Sequence, residues 1–477
     1  MTETVEHNYD WLIIFLVYNN NYYDLKNQDT TEYYTMEEQT KYILNQVRHT
    51  RHNESIKTIF VEAEIKNYRR KNFATLSMLY KKKGSWLSAV NRVWRDENPI
   101  DILTTGESLL DILKKLREDF PANKHMIITA GHGSIVGINY YIPELKQKAS
   151  REKNKNLEPV IKKKFPIANK IKYQTKLKAK IKVENESLLF LANEEIGMVL
   201  KKVFPDKKVD VMVAYNCLMQ NIFTQFSLRK TVDWLVAPLS GISIPGFNYR
   251  HVLNEISKDP SINGETASKL FINSIREGNR YSSFKNDIES TWKLSAVKLD
   301  NDKLNKLQKD FDAVFKIINT LSVKDASIIS VINEVLKYLF SYSIYCLKSI
   351  QIFDLGSFLA SLSDKIKNAD DYPGLANAIA ELQKTLHESA LSRVIFTGVD
   401  FYKSESDIIH YDSRESNFNK IADVGLLFPI NNTGSDLLNL IYNKKKPKDK
   451  YSKPDFLKSK SYAMVVNKIH SLVPMNL

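Results

Sequence analysis

Residues 125–133 read HMIITAGHG and residues 209–217 read VDVMVAYNC. Each is an apolar run that ends in a reactive side chain, His132 in the first and Cys217 in the second. Neither run alternates apolar and polar positions, so neither suits a strand with one wet face. Both suit strands buried on two faces of a parallel sheet. Similar runs lie at 11–18, 58–63 and 234–238. Between them the apolar residues recur at helical spacing over 35–49, 84–96, 109–119, 193–203 and 220–232. Asn193, followed by Glu194 and Glu195, reads as an N-cap with acids in the first turn. Strands alternating with helices predict an α/β domain with crossover connections over residues 1–290.

The carboxyl ends of parallel strands are where α/β proteins build their sites. His132 and Cys217 both stand there, so neighbouring strands would bring imidazole and thiol together. A free thiol is mostly protonated at neutral pH; a nearby imidazole favours the thiolate and later protonates a leaving amine. Gly131 and Gly133 let the backbone approach a substrate. The amides of Gly133 and Cys217 can form an oxyanion hole, where one donor is worth on the order of 3 kcal/mol. The plainer alternative is that Cys217 is a small core residue and His132 a turn residue. Cys346 falls in a helical pattern over 326–350 among Tyr, Ile and Leu, which reads as core packing. A dinucleotide-binding turn is a weaker reading of GHGSIVG, since the glycine spacing is wrong and Pro143 with a Lys-rich run stands where a long helix should run. Two cysteines and no H-E-x-x-H leave no zinc site and no required cofactor.

The chain has 477 residues, 43% of them hydrophobic, enough for a large core. Its two cysteines fit a reducing cytosol. The polar, acidic start MTETVEHNYD lacks the pattern of a secretory signal, and no apolar stretch has the length of a membrane span. The reading is a soluble cytoplasmic protein. Net charge is +14, yet residues 146–182 hold fourteen Lys or Arg against Glu152 and Glu158, so the rest is close to neutral. A basic insertion, 141–185, with Pro143, Pro159 and Pro166 describes this better than a nucleic-acid-binding face, because it lacks regular aromatic interleaving. Residues 291–477 form a mostly helical region, with helices over 304–321, 326–350 and 373–389 and strands over 394–402 and 424–430.

The motifs together resemble the clostripain family of caspase-like cysteine peptidases. ITAGHG (128–133) is similar to that family's apolar strand ending in HG. VMVAYNCLMQ (211–220) is similar to its DACLM-type segment, and DWLVAPLS (233–240) with IPGFNY (244–249) to its next strand and PGW-type turn. WLIIFLVYNNN (11–21), LSAVKLD (294–300), IFDLGSFL (352–359) and GLLFPI (425–430) extend the likeness along the chain. The resemblance implies a caspase-like α/β sandwich, with Cys217 as nucleophile, His132 as its partner and a protein as substrate. Calcium is used by some members.

One departure concerns specificity. The family's motif has an acid two places before the cysteine, at the floor of the S1 pocket, where this chain has Tyr215. The loop after the later strand is often acidic; here it carries Leu239, Ser240 and Gly241. A cationic P1 side chain would lose its water without gaining a partner, at a cost of several kcal/mol. Tyr215, Ser240 and Gly241 therefore predict an uncharged or apolar P1 residue. Asp210 and Asp233 are the remaining nearby acids. Members of the family often mature by cleavage between histidine and cysteine; with an uncharged pocket, Leu157, Phe165, Tyr173 and Leu177 are the candidate cut sites. By analogy with caspases, the partner would be a pore-forming or toxic protein released in cell death or defence. A catalytically dead scaffold of the same fold is the alternative.

Overall fold

The computed structural model describes residues 8–20, 36–68, 71–82, 85–95, 106–135, 137–143, 181–183, 186–239, 247–281, 293–324, 327–340, 346–347, 352–366, 372, 374–389, 394–397, 424–428 and 460–472. The elements run β1 (Tyr9–Asn20), α1 (Met36–Arg48), β2 (Ile56–Tyr68), β3 (Lys71–Lys82), β4 (Ser85–Arg95), α2 (Gly106–Asp119), β5 (Ala122–Gly131), β6 (Gly133–Ser134), β7 (Gly137–Pro143), β8 (Ile181–Val183) and β9 (Glu186–Ala192). Then come α3 (Asn193–Val203), β10 (Val209–Asn216), α4 (Ile222–Leu228), β11 (Val232–Pro238), α5 (Tyr249–Lys258), α6 (Gly264–Tyr281) and β12 (Lys293–Lys298). The remainder is α7 (Asn301–Lys324), α8 (Ser327–Phe340), β13 (Cys346–Leu347), β14 (Ile352–Asp354), α9 (Leu355–Lys365), α10 (Leu375–Ser389), β15 (Val394–Thr397), β16 (Gly425–Leu427) and α11 (Lys460–Leu472).

Nine strands form one sheet in the order β15-β12-β11-β10-β5-β1-β2-β3-β4. The five central strands, β11 to β2 in that order, pair in parallel. Only β3 and β12 run against the other seven. This is the parallel-sheet α/β architecture that the apolar runs predict, and the mainly parallel sandwich that the resemblance implies. β12 and β15 come from beyond residue 290, so both parts of the chain contribute to the sheet. A smaller sheet, β6-β7-β9-β8, flanks it, and β13-β14-β16 form a third.

Burial explains why the runs do not alternate. In β1, Leu12, Ile14 and Leu16 belong to one core cluster with Ile127, Met212 and Ala214. Trp11, Ile13, Phe15 and Val17 belong to a second with Met126, Ile128, Val211, Val213 and Tyr215. Helices α2, α3, α4 and α7 to α11 contribute to the first cluster, and α1, α5 and α6 to the second. Each enclosed Leu, Ile or Val contributes about 1.5–3 kcal/mol, so strands dry on both faces hold the sandwich closed.

Three expectations are corrected. Residues 84–96 read as a helix, but Ser85–Arg95 form strand β4, paired antiparallel with β3. Cys346 is not mid-helix: α8 stops at Phe340, and Cys346 pairs with Phe353 in β13–β14. Asn193 does not cap α3. The N-cap is Ala192, without a side-chain bond, and Asn193 is the first helical residue, turned to other work described below. The two acids that follow knit helices together. Glu195 accepts from the amide of Gly106 at the start of α2 (2.6 Å), and Glu194 accepts from the Ser227 hydroxyl on α4 (3.0 Å).

Candidate active site

β5 and β10 are neighbours in parallel register, from Val211 opposite Met126 to Asn216 opposite Gly131. The next residue on each strand is Cys217 and His132. Adjacent strands lie about 4.8 Å apart, so the two residues leave the sheet side by side at its carboxyl edge. Both are partly exposed. The chain after His132 turns back towards the cysteine. A side-chain carbon on Gly133 would stand 2.9 Å from the Cys217 nitrogen, 2.5 Å from its carbonyl oxygen and 2.7 Å from the Asn216 Cβ. Glycine is thus required where β6 lies on the Asn216–Cys217 peptide. Gly131 has φ +143°, and a Cβ there would meet the Tyr18 carbonyl at 2.8 Å. Both predicted oxyanion-hole residues, Gly133 and Cys217, are therefore in backbone contact.

The turn after Cys217 is held rather than loose. Leu218, buried, has φ +67°, a conformation costly for a side chain with a Cβ. It persists because its neighbours over-determine it. Asn221 donates to the Leu218 carbonyl (2.6 Å) while its Oδ1 caps α4 by accepting from Thr224 (2.9 Å). Gln220 donates to the Ser295 hydroxyl on β12 (2.7 Å) and accepts from Gln225 (3.1 Å). Its backbone amide donates to the Pro238 carbonyl (2.8 Å), and its carbonyl accepts from the Gly425 amide (3.0 Å). Asn193 donates to the Ile135 carbonyl and to the Thr224 hydroxyl, both at 2.9 Å, tying the histidine side to α4. These amides are buried and bonded to one another and to the backbone, the condition under which a polar network rigidifies a site. Sequence reading missed Asn193, Asn216, Gln220 and Asn221 as supports. Their only signal is amide side chains set among apolar positions beside the reactive residues.

Tyr215 is wholly buried. Its ring packs 5.5 Å from Phe247 and 6.4 Å from Tyr249, centre to centre, and its hydroxyl hydrogen-bonds Gln39. Burial pushes the phenol well up from its ordinary pKa, so it stays neutral. Asp210 and Asp233 are at the wrong end of the sheet. Asp210 lies seven residues before Cys217, about 23 Å along the strand, where it accepts from the His125 amide (2.8 Å) and pairs with Lys207 (3.5 Å). Asp233 falls beside it in the β10–β11 register, between Val232 and Trp234. Neither can charge a pocket at Cys217. Ser240, Gly241, Leu157, Phe165, Tyr173 and Leu177 lie outside the described residues. Among the described residues no group of three or more His, Cys, Asp or Glu could hold a metal ion. The calcium that the resemblance implies for some members thus finds no carboxylate cluster among these residues.

A clostripain family model matches residues 171–433, which include Cys217 but not His132. A secreted C11 cysteine protease from Bacteroides thetaiotaomicron, solved with an irreversible peptide inhibitor, is similar in fold. It has 12% identity and a TM-score of 0.51, over 95% of this chain and 99% of that one. An inactive zymogen C11 protease from Parabacteroides distasonis matches with 11% identity and a TM-score of 0.46, over 94% and 97% of the two chains. No curated protein matches the chain.

Proposed function

Because the chain belongs to the clostripain family of cysteine proteases, we propose that it is an endopeptidase in which Cys217 is the nucleophile and His132 the acid and base. The Cys217 thiolate attacks the scissile carbonyl carbon, and the carbonyl electrons move to oxygen. The amides of Gly133 and Cys217 hydrogen-bond that oxyanion. As the carbon–nitrogen bond breaks, protonated His132 gives its proton to the leaving amine, leaving a thioester. His132 then takes a proton from water, which attacks the thioester and frees the acid and the thiolate. The observation that carries this reading is the shared register of β5 and β10, with Gly133 against the Cys217 backbone.

The substrate is a protein with an uncharged or apolar residue at P1. The absence of an acid at Tyr215 and the remoteness of Asp210 and Asp233 support this, and neither Ser240 nor Gly241 carries a charge. The same preference directs maturation to Leu157, Phe165, Tyr173 or Leu177 in the basic insertion. Two cysteines in 477 residues support a reducing cytosol. Among the described residues no helix is long and apolar enough to cross a membrane. In that compartment the protein substrate would be a pore-forming or toxic partner, cut in a defence or cell-death response.

A diverse peptide library incubated with wild type and with Cys217→Ala, read by mass spectrometry, tests the reading. Cleavage by wild type alone, after uncharged residues, is the expected result. Cleavage after Arg or Lys would refute the pocket argument. No cleavage by either protein would favour an inactive scaffold of the same fold.

A further inference from the structure

The residue that precedes Cys217 has no place in the chemistry above, yet its side chain bonds the histidine side at three points. Asn216 is wholly buried. Its Nδ2 donates to the carbonyls of Gly131 (3.1 Å) and His132 (3.3 Å), and its Oδ1 accepts from the Thr129 hydroxyl (2.5 Å). Two carbonyls on one side demand the donor end there, so the amide has one orientation. We propose that Asn216 is a positioning residue, a buried amide that fixes the His132 turn against the strand carrying the nucleophile. The proposal rests on the Cys217 and His132 reading above.

The turn needs such a restraint. His132 stands between two glycines, and Gly131 adopts φ +143°. Glycines on both sides leave the backbone free to place the imidazole in many ways. Register pairing of β5 with β10 ends at Gly131 opposite Asn216, so the ladder itself does not reach His132. The Asn216 side chain extends the pairing by one residue, from the strand that presents the thiol. The DACLM-type segment that this stretch resembles has Ala at this place, which can donate nothing; here the amide takes up the histidine carbonyl.

Steady-state hydrolysis of the best library peptide, by wild type, Asn216→Ala and Asn216→Asp, tests this. It is joined by the pH profile of Cys217 alkylation with iodoacetamide, followed on the Cys217 peptide by mass spectrometry. Asn216→Ala is expected to lower kcat about 100-fold, the effect of roughly 1 Å of misplacement, with KM within about twofold. The alkylation midpoint should rise towards that of an ordinary thiol. Asn216→Asp, equal in size but aiming oxygen at both carbonyls, should be at least as damaging. Wild-type kcat and an unmoved alkylation profile in folded Asn216→Ala would overturn the proposal. So would full activity in Asn216→Asp, because filling space would then suffice. Should both variants fail to fold, Thr129→Val removes the third bond that holds the amide, the one its Oδ1 accepts. It is expected to lower kcat about tenfold, and an unchanged kcat would overturn the proposal. If wild type neither cuts peptides nor reacts at Cys217, the peptidase reading itself fails and takes the proposal with it.

Discussion

Replacing Gly133 by alanine adds one methyl group at the point where the histidine and cysteine segments touch. The new carbon would lie 2.5 Å from the Cys217 carbonyl oxygen, 2.7 Å from the Asn216 Cβ and 2.9 Å from the Cys217 nitrogen. Carbon atoms pack comfortably from about 3.5 Å, so relief requires roughly 0.8–1 Å of movement. No flexible side-chain end is among these neighbours, so the backbone must move: β6 retreats from the Asn216–Cys217 peptide. Overpacking of this kind costs about 1–3 kcal/mol, less than the 5–15 kcal/mol that ordinarily stabilises a domain. Gly133→Ala therefore stays largely folded. Its oxyanion donors and imidazole stand about 1 Å out of place, which costs on the order of 100-fold in rate, or about 2.7 kcal/mol of barrier. The assay is kcat/KM on a fluorogenic peptide, with urea unfolding in parallel to correct for the folded fraction. A folded variant within about threefold of wild-type kcat/KM would refute the claim that this contact sets the spacing of the two segments.

Two further predictions concern pH. Burial raises the Glu194 carboxyl to about 7 from its ordinary 4.5, offset in part by its hydrogen bonds and reinforced by Glu195. The folded state then holds a proton that the unfolded state releases, so stability falls as pH rises from about 4.5 to 7. Glu194→Gln, which still accepts from Ser227, should be more stable than wild type by about 1–3 kcal/mol at pH 7.5 and no more stable at pH 4, measured by urea denaturation. His125 is pushed down to about 3 from 6.5, first by burial and then by Lys207 and Arg117. Here the unfolded state takes up the proton first, so wild type loses stability as pH falls from about 6.5 towards 3. His125→Phe, placed against Phe204 (His125–Phe204 ring centres 4.5 Å apart), should shift acid unfolding to lower pH by circular dichroism. An unchanged midpoint would refute the assignment.

The five central strands were legible in the sequence because they are dry on both faces, and unbroken apolar runs carry that information directly. The places of His132 and Cys217 at two strand ends followed from the same runs. The flanks were harder. In residues 85–95 the apolar residues Trp86, Leu87, Val90, Val93 and Trp94 sit at helical spacing, yet pairing with β3 overrode the local period. β7 and β9 were missed because they border the Lys-rich insertion, which masks their pattern. Asn193 looks like a cap by type and place, but an amide's role depends on which carbonyls surround it. Ile135 is 58 residues away, and Asn216's partners are 84 to 87 residues away. Such bonds have no periodic trace, so only the folded register discloses them.

The hydrogen bond from the Gly425 amide to the Gln220 carbonyl has a consequence for synthesis. During translation Cys217 emerges about 200 residues before the segment that completes its turn. At 5–20 residues per second this is roughly 10–40 s. Throughout that interval β12, β15 and β16 are still to come, and the nascent chain presents a thiol without its full setting. The turn that carries Cys217 thus depends on residues made long after it, and a product ending before Gly425 lacks the bond that closes on Gln220.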